Sequence, residues 1–152
     1  MTDTSERYTD DAERVLFFAR YEASELGSTA IQTEHVLIGL IREGHRGRPS
    51  VTTANRILAL SGLTSEQILK QIEKRTAIGP KVATIIEIPF SDQTKRVLES
   101  AAQEAEQLGH QHICPEHLLL GLLRDDQSIP SLILSVGRLN LSTAREQVAN
   151  AR

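Results

Sequence analysis

The chain has 152 residues, enough for one compact domain or two small halves packed on each other. Apolar content of 39% and charged content of 24% are those of an ordinary soluble globular protein, and a net charge of −3 without any Lys/Arg run excludes a nucleic-acid-binding surface. The single cysteine, Cys114, excludes an internal disulfide framework and fits a reducing cytoplasm, and no apolar run approaches the roughly 20 residues of a membrane span.

The polar, acidic segment Met1-Thr2-Asp3-Thr4-Ser5-Glu6 is not a secretory signal. Beyond it, Ala12, Val15, Leu16, Ala19, Ala23 and Leu26 recur at three- and four-residue steps, which predicts an amphipathic helix. Thr9 is its natural N-cap, Asp10 complements the dipole in its first turn, and Gly27 stands where a C′ glycine would stop it. A second helix is predicted from Glu34 to about Glu43, capped by Thr33. Gly39 lies in its middle, where glycine costs up to ~1 kcal/mol relative to Ala, so a close helix–helix approach is expected there. The loop Gly44-His45-Arg46-Gly47-Arg48-Pro49-Ser50 leads to a third helix, Thr52 to Leu60. A fourth runs from the capping box Thr64-Ser65-Glu66-Gln67 to about Arg75. Thr76 to Pro89, with Gly79, Pro80 and the β-favouring run Thr84 to Ile88, reads as an extended linker packed on the surface.

Beyond the linker the chain repeats itself. Residues 8–44 overlay residues 90–126 at a constant offset of 82, with 16 of 37 positions identical and no gap. The first helix is echoed by Thr94, Val97, Leu98, Ala101, Ala105 and Leu108, capped by Ser91 with Asp92 next to it, and stopped at Gly109. The second is echoed from Glu116 to about Arg124, with Pro115 at its start and Gly121 in its middle. Ile129 to Val136 and Ser142 to the C-terminus echo the third and fourth. The expected fold is all-α: eight helices as a tandem pseudo-twofold repeat of two four-helix motifs. One domain, 1–152, would comprise repeat one (8–75), a linker (76–89) and repeat two (90–150).

Most catalytic signatures are missing. There is no phosphate-cradling Gly-x-x-x-x-Gly-Lys-Ser/Thr, no Gly-x-Ser-x-Gly, and no catalytic setting for Cys114. His110 and His112 beside Glu116 and His117 suggest a metal site on paper. Repeat one replaces the first two with Ser28 and Ala30, and the spacing matches no helical His-x-x-x-His pair, so a polar loop with a capping histidine is the better reading and no metal is expected. The pairs Glu34-His35 and Glu116-His117 point about 100° apart on a helix, which argues against either acting as an acid–base dyad. The expected division is that His packs or caps while Glu is exposed at the helix start. The dipole alone accounts for the glutamates, and a ligand role is the alternative. A hydrolase using Glu34 and Glu116 together is disfavoured by their placement on separate repeats. With no Trp and five other aromatics, a stacking platform for bases or sugars is disfavoured too.

The segments Thr33-Glu34-His35-Val36-Leu37-Ile38-Gly39-Leu40-Ile41-Arg42-Glu43-Gly44 and Pro115-Glu116-His117-Leu118-Leu119-Leu120-Gly121-Leu122-Leu123-Arg124 resemble the repeat signature of Clp N-terminal domains, closest to the ClpC type. Ala19 to Gly27 and Ala101 to Gly109 also look like that family, and the resemblance runs from about Tyr8 to Ala149. It implies an all-helical double repeat that recruits substrates and adaptor proteins for Hsp100/Clp unfoldases, without catalysis and without a cofactor. It also implies recognition of phosphorylated arginine, one site per repeat. On that reading the phosphate sits at the helix ends marked by Thr9 and Ser91, and Glu34 and Glu116 bind the guanidinium. Arg14 and Arg96 would add charge to the phosphate. The partners implied are phospho-arginine proteins or peptides, Clp adaptor proteins and Clp ATPase or protease components, with no nucleic acid and no membrane. The chain itself is expected to be cytoplasmic and monomeric in isolation. It reads either as an excised recognition domain or as a free-standing decoy that sequesters the same ligands.

Overall fold

The computed structural model describes residues 5–45, 51–81 and 87–151. A 3-10 turn at Ser5–Arg7 leads into α1 (Asp10–Glu25), α2 (Thr33–Gly44), α3 (Thr53–Ala59) and α4 (Ser65–Arg75), followed by α5 (Asp92–Gln107), α6 (Pro115–Arg124), α7 (Ile129–Leu134) and α8 (Leu141–Asn150). Among the described residues these eight helices account for the regular structure, with two isolated β-bridges and no strand. No described helix is long and apolar enough to cross a membrane.

The chain ends each helix where local chemistry dictates. Thr9, Thr52, Thr64 and Ser91 all accept an amide hydrogen bond from the third residue after them. Gly27 and Gly109 take φ of +77° and +74°, the left-handed conformation that terminates α1 and α5. Two boundaries differ from expectation. Thr33 is the first helical residue of α2 rather than its cap: Gln32 precedes it, and the Gln32 amide donates to His35 Nδ1 at 2.9 Å. Likewise α8 begins at Leu141, because Asn140 and not a later residue caps it, accepting from the Thr143 amide.

Each repeat is built on one tight helix pair. A Cβ on Gly39 would lie 2.3 Å from the Val15 carbonyl oxygen, and one on Gly121 would lie 2.5 Å from that of Val97. Those distances explain the mid-helix glycines, since no side chain fits between α1 and α2 or between α5 and α6. The largest buried side chains, among them Ile31, Leu37, Leu40, Ile113, Leu119 and Leu122, belong to one apolar cluster drawn from both repeats. Across the seam α4 packs on α7, and α2 on α6.

The end of the linker also departs from the expected surface strap. Thr84, Ile85 and Ile86 lie outside the described residues, but Ile88 is buried and Phe90 forms a parallel bridge to Ile31. The Ile31 amide donates to the Pro89 carbonyl at 2.8 Å, and the Ser91 amide to the Ile31 carbonyl at 3.1 Å. Repeat two answers with the same knot: the Ile113 amide donates to the Arg7 carbonyl at 2.8 Å and the Thr9 amide to that of Ile113 at 3.1 Å. Each half therefore threads its lead-in segment across the other half.

Candidate functional site

Those two crossings decide which candidate residues meet. Thr9, at the start of α1, joins Cys114, Pro115 and Glu116, at the start of α6, in a cleft of about 250 Å³. Asp11, Glu43 and Thr52 complete its walls. The cap of repeat one thus faces the glutamate of repeat two, whereas a self-contained site in each repeat was expected. The second crossing ties Ser91 to Ile31, three residues before Glu34, so the other candidate pair is composite in the same sense.

The chemistry of the first cleft has an anionic-ligand end and a cationic-ligand end. Thr9 Oγ1 accepts the Ala12 amide at 3.1 Å, and the first amides of a helix have no intrahelical acceptor, which makes this end of α1 favourable to an anion. Glu116 supplies a half-buried carboxylate suited to a guanidinium. Asp11 and Glu43 add negative charge, and Arg14 bridges them, in contact with Asp11 and 3.2 Å from Glu43 Oε2. Arg14 is thus held at the edge of the cleft by two acids.

The other four candidates sit differently. Ser91 Oγ accepts the Thr94 amide at 3.1 Å, repeating the Thr9 cap. Glu34 is buried, contrary to the exposed position expected at a helix start. Its Oε2 accepts from Thr76 Oγ1 at 3.4 Å, so the first residue of the linker lies against it. Arg96 is exposed and lines a separate groove with Gln93, Arg124 and Asp125, away from the Thr9–Glu116 cleft.

The two motif histidines, His35 and His117, are structural. Both are fully buried, and each accepts an amide into its Nδ1: Gln32 to His35 at 2.9 Å, Cys114 to His117 at 2.8 Å. That bond fixes the neutral Nε2–H tautomer. In repeat two this proton reaches His110 Nδ1 at 2.9 Å, whereas His35 Nε2 has no hydrogen-bond partner. Burial lowers the His35 pKa from 6.5 to about 4. His112 is exposed, and among the described residues no group of three His, Cys, Asp or Glu could hold a metal ion.

Sequence reasoning passed over a pair of buried acids. Glu22 and Glu104 were visible only as matched positions, yet they sit within the buried face of α1 and α5. Glu22 is in contact with Arg42; Glu104 is 3.5 Å from Arg124 and takes both Nε and Nη2 of Arg145 at 2.8 Å. The signal was present: a glutamate interrupting an apolar stripe, with an arginine matched in both second helices, marks a buried ion pair.

Comparison with known proteins places this architecture. The family model of the Clp repeat (R) N-terminal domain matches residues 7–136. A Bacillus subtilis protein described as the negative regulator of genetic competence ClpC/MecB is 37% identical over 142 residues, which is 93% of this chain and 16% of that protein. The chloroplastic chaperone protein ClpC1 of Arabidopsis thaliana is 38% identical over 143 residues, 94% of this chain and 15% of the relative. This chain therefore spans about a sixth of the length of these curated relatives. Among solved structures, the N-terminal domain of the Arabidopsis thaliana chaperone ClpD superposes with a TM-score of 0.71 at 26% identity, covering 99% of this chain and 97% of that one. The Candida albicans Hsp104 N-terminal domain gives 0.70 at 20% identity, covering 95% and 91%, and shares the fold.

Proposed function

The chain belongs to the Clp repeat N-terminal domain family, and from that premise we propose that it is a non-catalytic recognition domain that binds substrate or adaptor proteins of a Clp unfoldase, with phosphorylated arginine as the ligand of its two composite clefts. One observation carries the reading: Thr9, at an anion-favouring helix start, and the half-buried carboxylate of Glu116 line a single cleft of about 250 Å³. A phosphorylated guanidinium carries both charges in one group. Its phosphate suits the Thr9 hydroxyl and the α1 amides, and its remaining N–H donors suit Glu116. Ser91 and Glu34 form the second site by the same logic. Thr76 against Glu34 makes that site the weaker of the two, because a ligand has to displace its hydrogen bond.

The test is calorimetric titration of free phospho-arginine, with plain arginine as control, into wild type, Glu34→Ala, Glu116→Ala and the double variant. Phospho-arginine is expected to bind at least tenfold tighter than arginine, with most of the heat lost in Glu116→Ala and all of it in the double variant. An absence of heat with phospho-arginine in the wild type would remove that ligand and leave protein adaptors as the partners to search for.

A further inference from the structure

Repeat two contains a worked example of a binding event that repeat one lacks. The Glu104 carboxylate, 1% exposed, is held in fork geometry by Arg145 of α8, and Arg124 of α6 approaches it as a second cation. The hydrogen bonds to Glu104 also hold the Arg145 pKa above its ordinary value. In repeat one Glu22 occupies the matching position, 7% exposed, with Arg42 as its only guanidinium partner among the described residues. Counted from the capping residues Thr64 and Asn140, α4 and α8 align so that Leu69 stands where Arg145 does. The guanidinium is gone and its place is hollow. A cavity of about 110 Å³ lies beside Glu22, walled by Leu26, Ile38, Leu69 and Ile72, with Glu73 also lining it.

The surface next to that cavity differs between repeats in the same direction. Arg42 and Leu69 also border a wider groove of about 360 Å³ lined by Phe18, Ile41 and His45. On the same helix Phe17 and Tyr21 are 66% and 46% exposed. Their counterparts in α5 are Glu99, Ser100 and Gln103 for Phe17, Phe18 and Tyr21. Repeat one alone thus joins an anionic hollow to an apolar groove and an aromatic helix face.

We propose that the cavity beside Glu22 is a socket for an unmodified arginine side chain of a partner polypeptide, whose guanidinium takes the place Arg145 fills in repeat two. The arginine stem lies on Leu26, Leu69 and Ile72, and apolar residues flanking it in the partner lie along the Phe18–Ile41 groove. Glu22 and Glu73 favour a cation and disfavour a phosphorylated one, which separates this ligand from that of the clefts. A lysine ammonium lacks the planar fork that matches a carboxylate. The socket shares no lining residue with the Thr9–Glu116 cleft and stands without the phospho-arginine reading.

The experiment is an NMR titration of the ¹⁵N-labelled protein with the capped peptide acetyl-Ser-Leu-Arg-Leu-Ser-amide and its isosteric, uncharged citrulline counterpart. The arginine peptide is expected to shift the amides of Glu22, Arg42, Leu69 and Ile72, and the citrulline peptide to bind at least tenfold more weakly. Leu69→Arg supplies the missing guanidinium internally and is expected to abolish binding while the spectrum elsewhere stays that of the folded wild type. Glu22→Gln weakens binding about tenfold, Arg145→Leu adds a second set of shifts around Glu104, and Glu34→Ala/Glu116→Ala leaves the peptide affinity unchanged. Equal response to both peptides, undiminished binding by Leu69→Arg, shifts confined to the Thr9–Glu116 cleft, or no shifts at all would each overturn the socket.

Discussion

Repeat one and repeat two place the same carboxylate at the same point of the same helix, then treat it differently: Glu104 is closed over by Arg145, and Glu22 is left beside a hollow under Leu69. The histidines show a parallel split. His117 finds His110 for its second nitrogen, and His35 has no such partner because Ser28 stands where His110 does. In both cases repeat two completes a polar network internally that repeat one leaves open. Duplication preserved the packing and allowed the polar shell to diverge. Glycine-tight helix pairs tolerate almost no change, whereas a side chain at the edge of a buried charge can be exchanged without moving the backbone.

The strongest challenge to the equivalence of the repeats is at their glycines. Gly39→Ala and Gly121→Ala each force a Cβ into a carbonyl oxygen and are expected to cost about 3 kcal/mol apiece in chemical denaturation. A mild effect in one repeat alone would mean the helix pairs are not equivalent. Arg145→Ala takes the forked partner from a buried carboxylate, but Arg145 is partly exposed and Arg124 remains, so the expected loss is about 2 kcal/mol. Leu69→Arg in repeat one should stay within about 0.5 kcal/mol of wild type, since it lands at the protein surface beside an acid.

Acid separates the two histidines. The unfolded imidazole titrates near 6.5 and the buried His35 near 4, so between those values the unfolded state binds the extra proton. The stability contributed by neutral His35 is complete above pH 6.5 and is lost as pH falls towards 4, amounting to about 2 kcal/mol by pH 5. Melting curves of wild type and His35→Gln at pH 7.5 and 5 would check this: the variant should lose correspondingly less. The smallest expected effect is Ser28→His, which gives His35 Nε2 the partner His117 has and should add about 1 kcal/mol at pH 7.5.

The helices were legible because their signals are local. An apolar stripe, a Thr or Ser cap and a stopping glycine sit within one or two turns of each other, and α1 and α5 follow them to within a residue. The start of α2 slipped because Thr33 has the right chemistry for a cap, yet the His35 ring captures the Gln32 amide and draws the helix one residue earlier. The site was harder. Which cap meets which glutamate depends on crossings between Tyr8 and Ile113 and between Ile31 and Phe90, partners too far apart in sequence for any periodicity to reveal. The burial of Glu34 had the same cause, since its Thr76 contact comes from the far end of the repeat. Exposure at a helix start is a sound default that a returning segment overrides.

The paired crossings also make the two halves interdependent. A tandem repeat joined only end to end could lose either half and keep the other. Here each half borrows its lead-in from the other, and the Thr9–Glu116 cleft has one wall from each. Cutting the chain between the repeats would leave two fragments, neither of which owns a whole binding cleft. Ligand capture is therefore a property of the closed knot, and anything that loosens one strand of it releases what is bound on both sides.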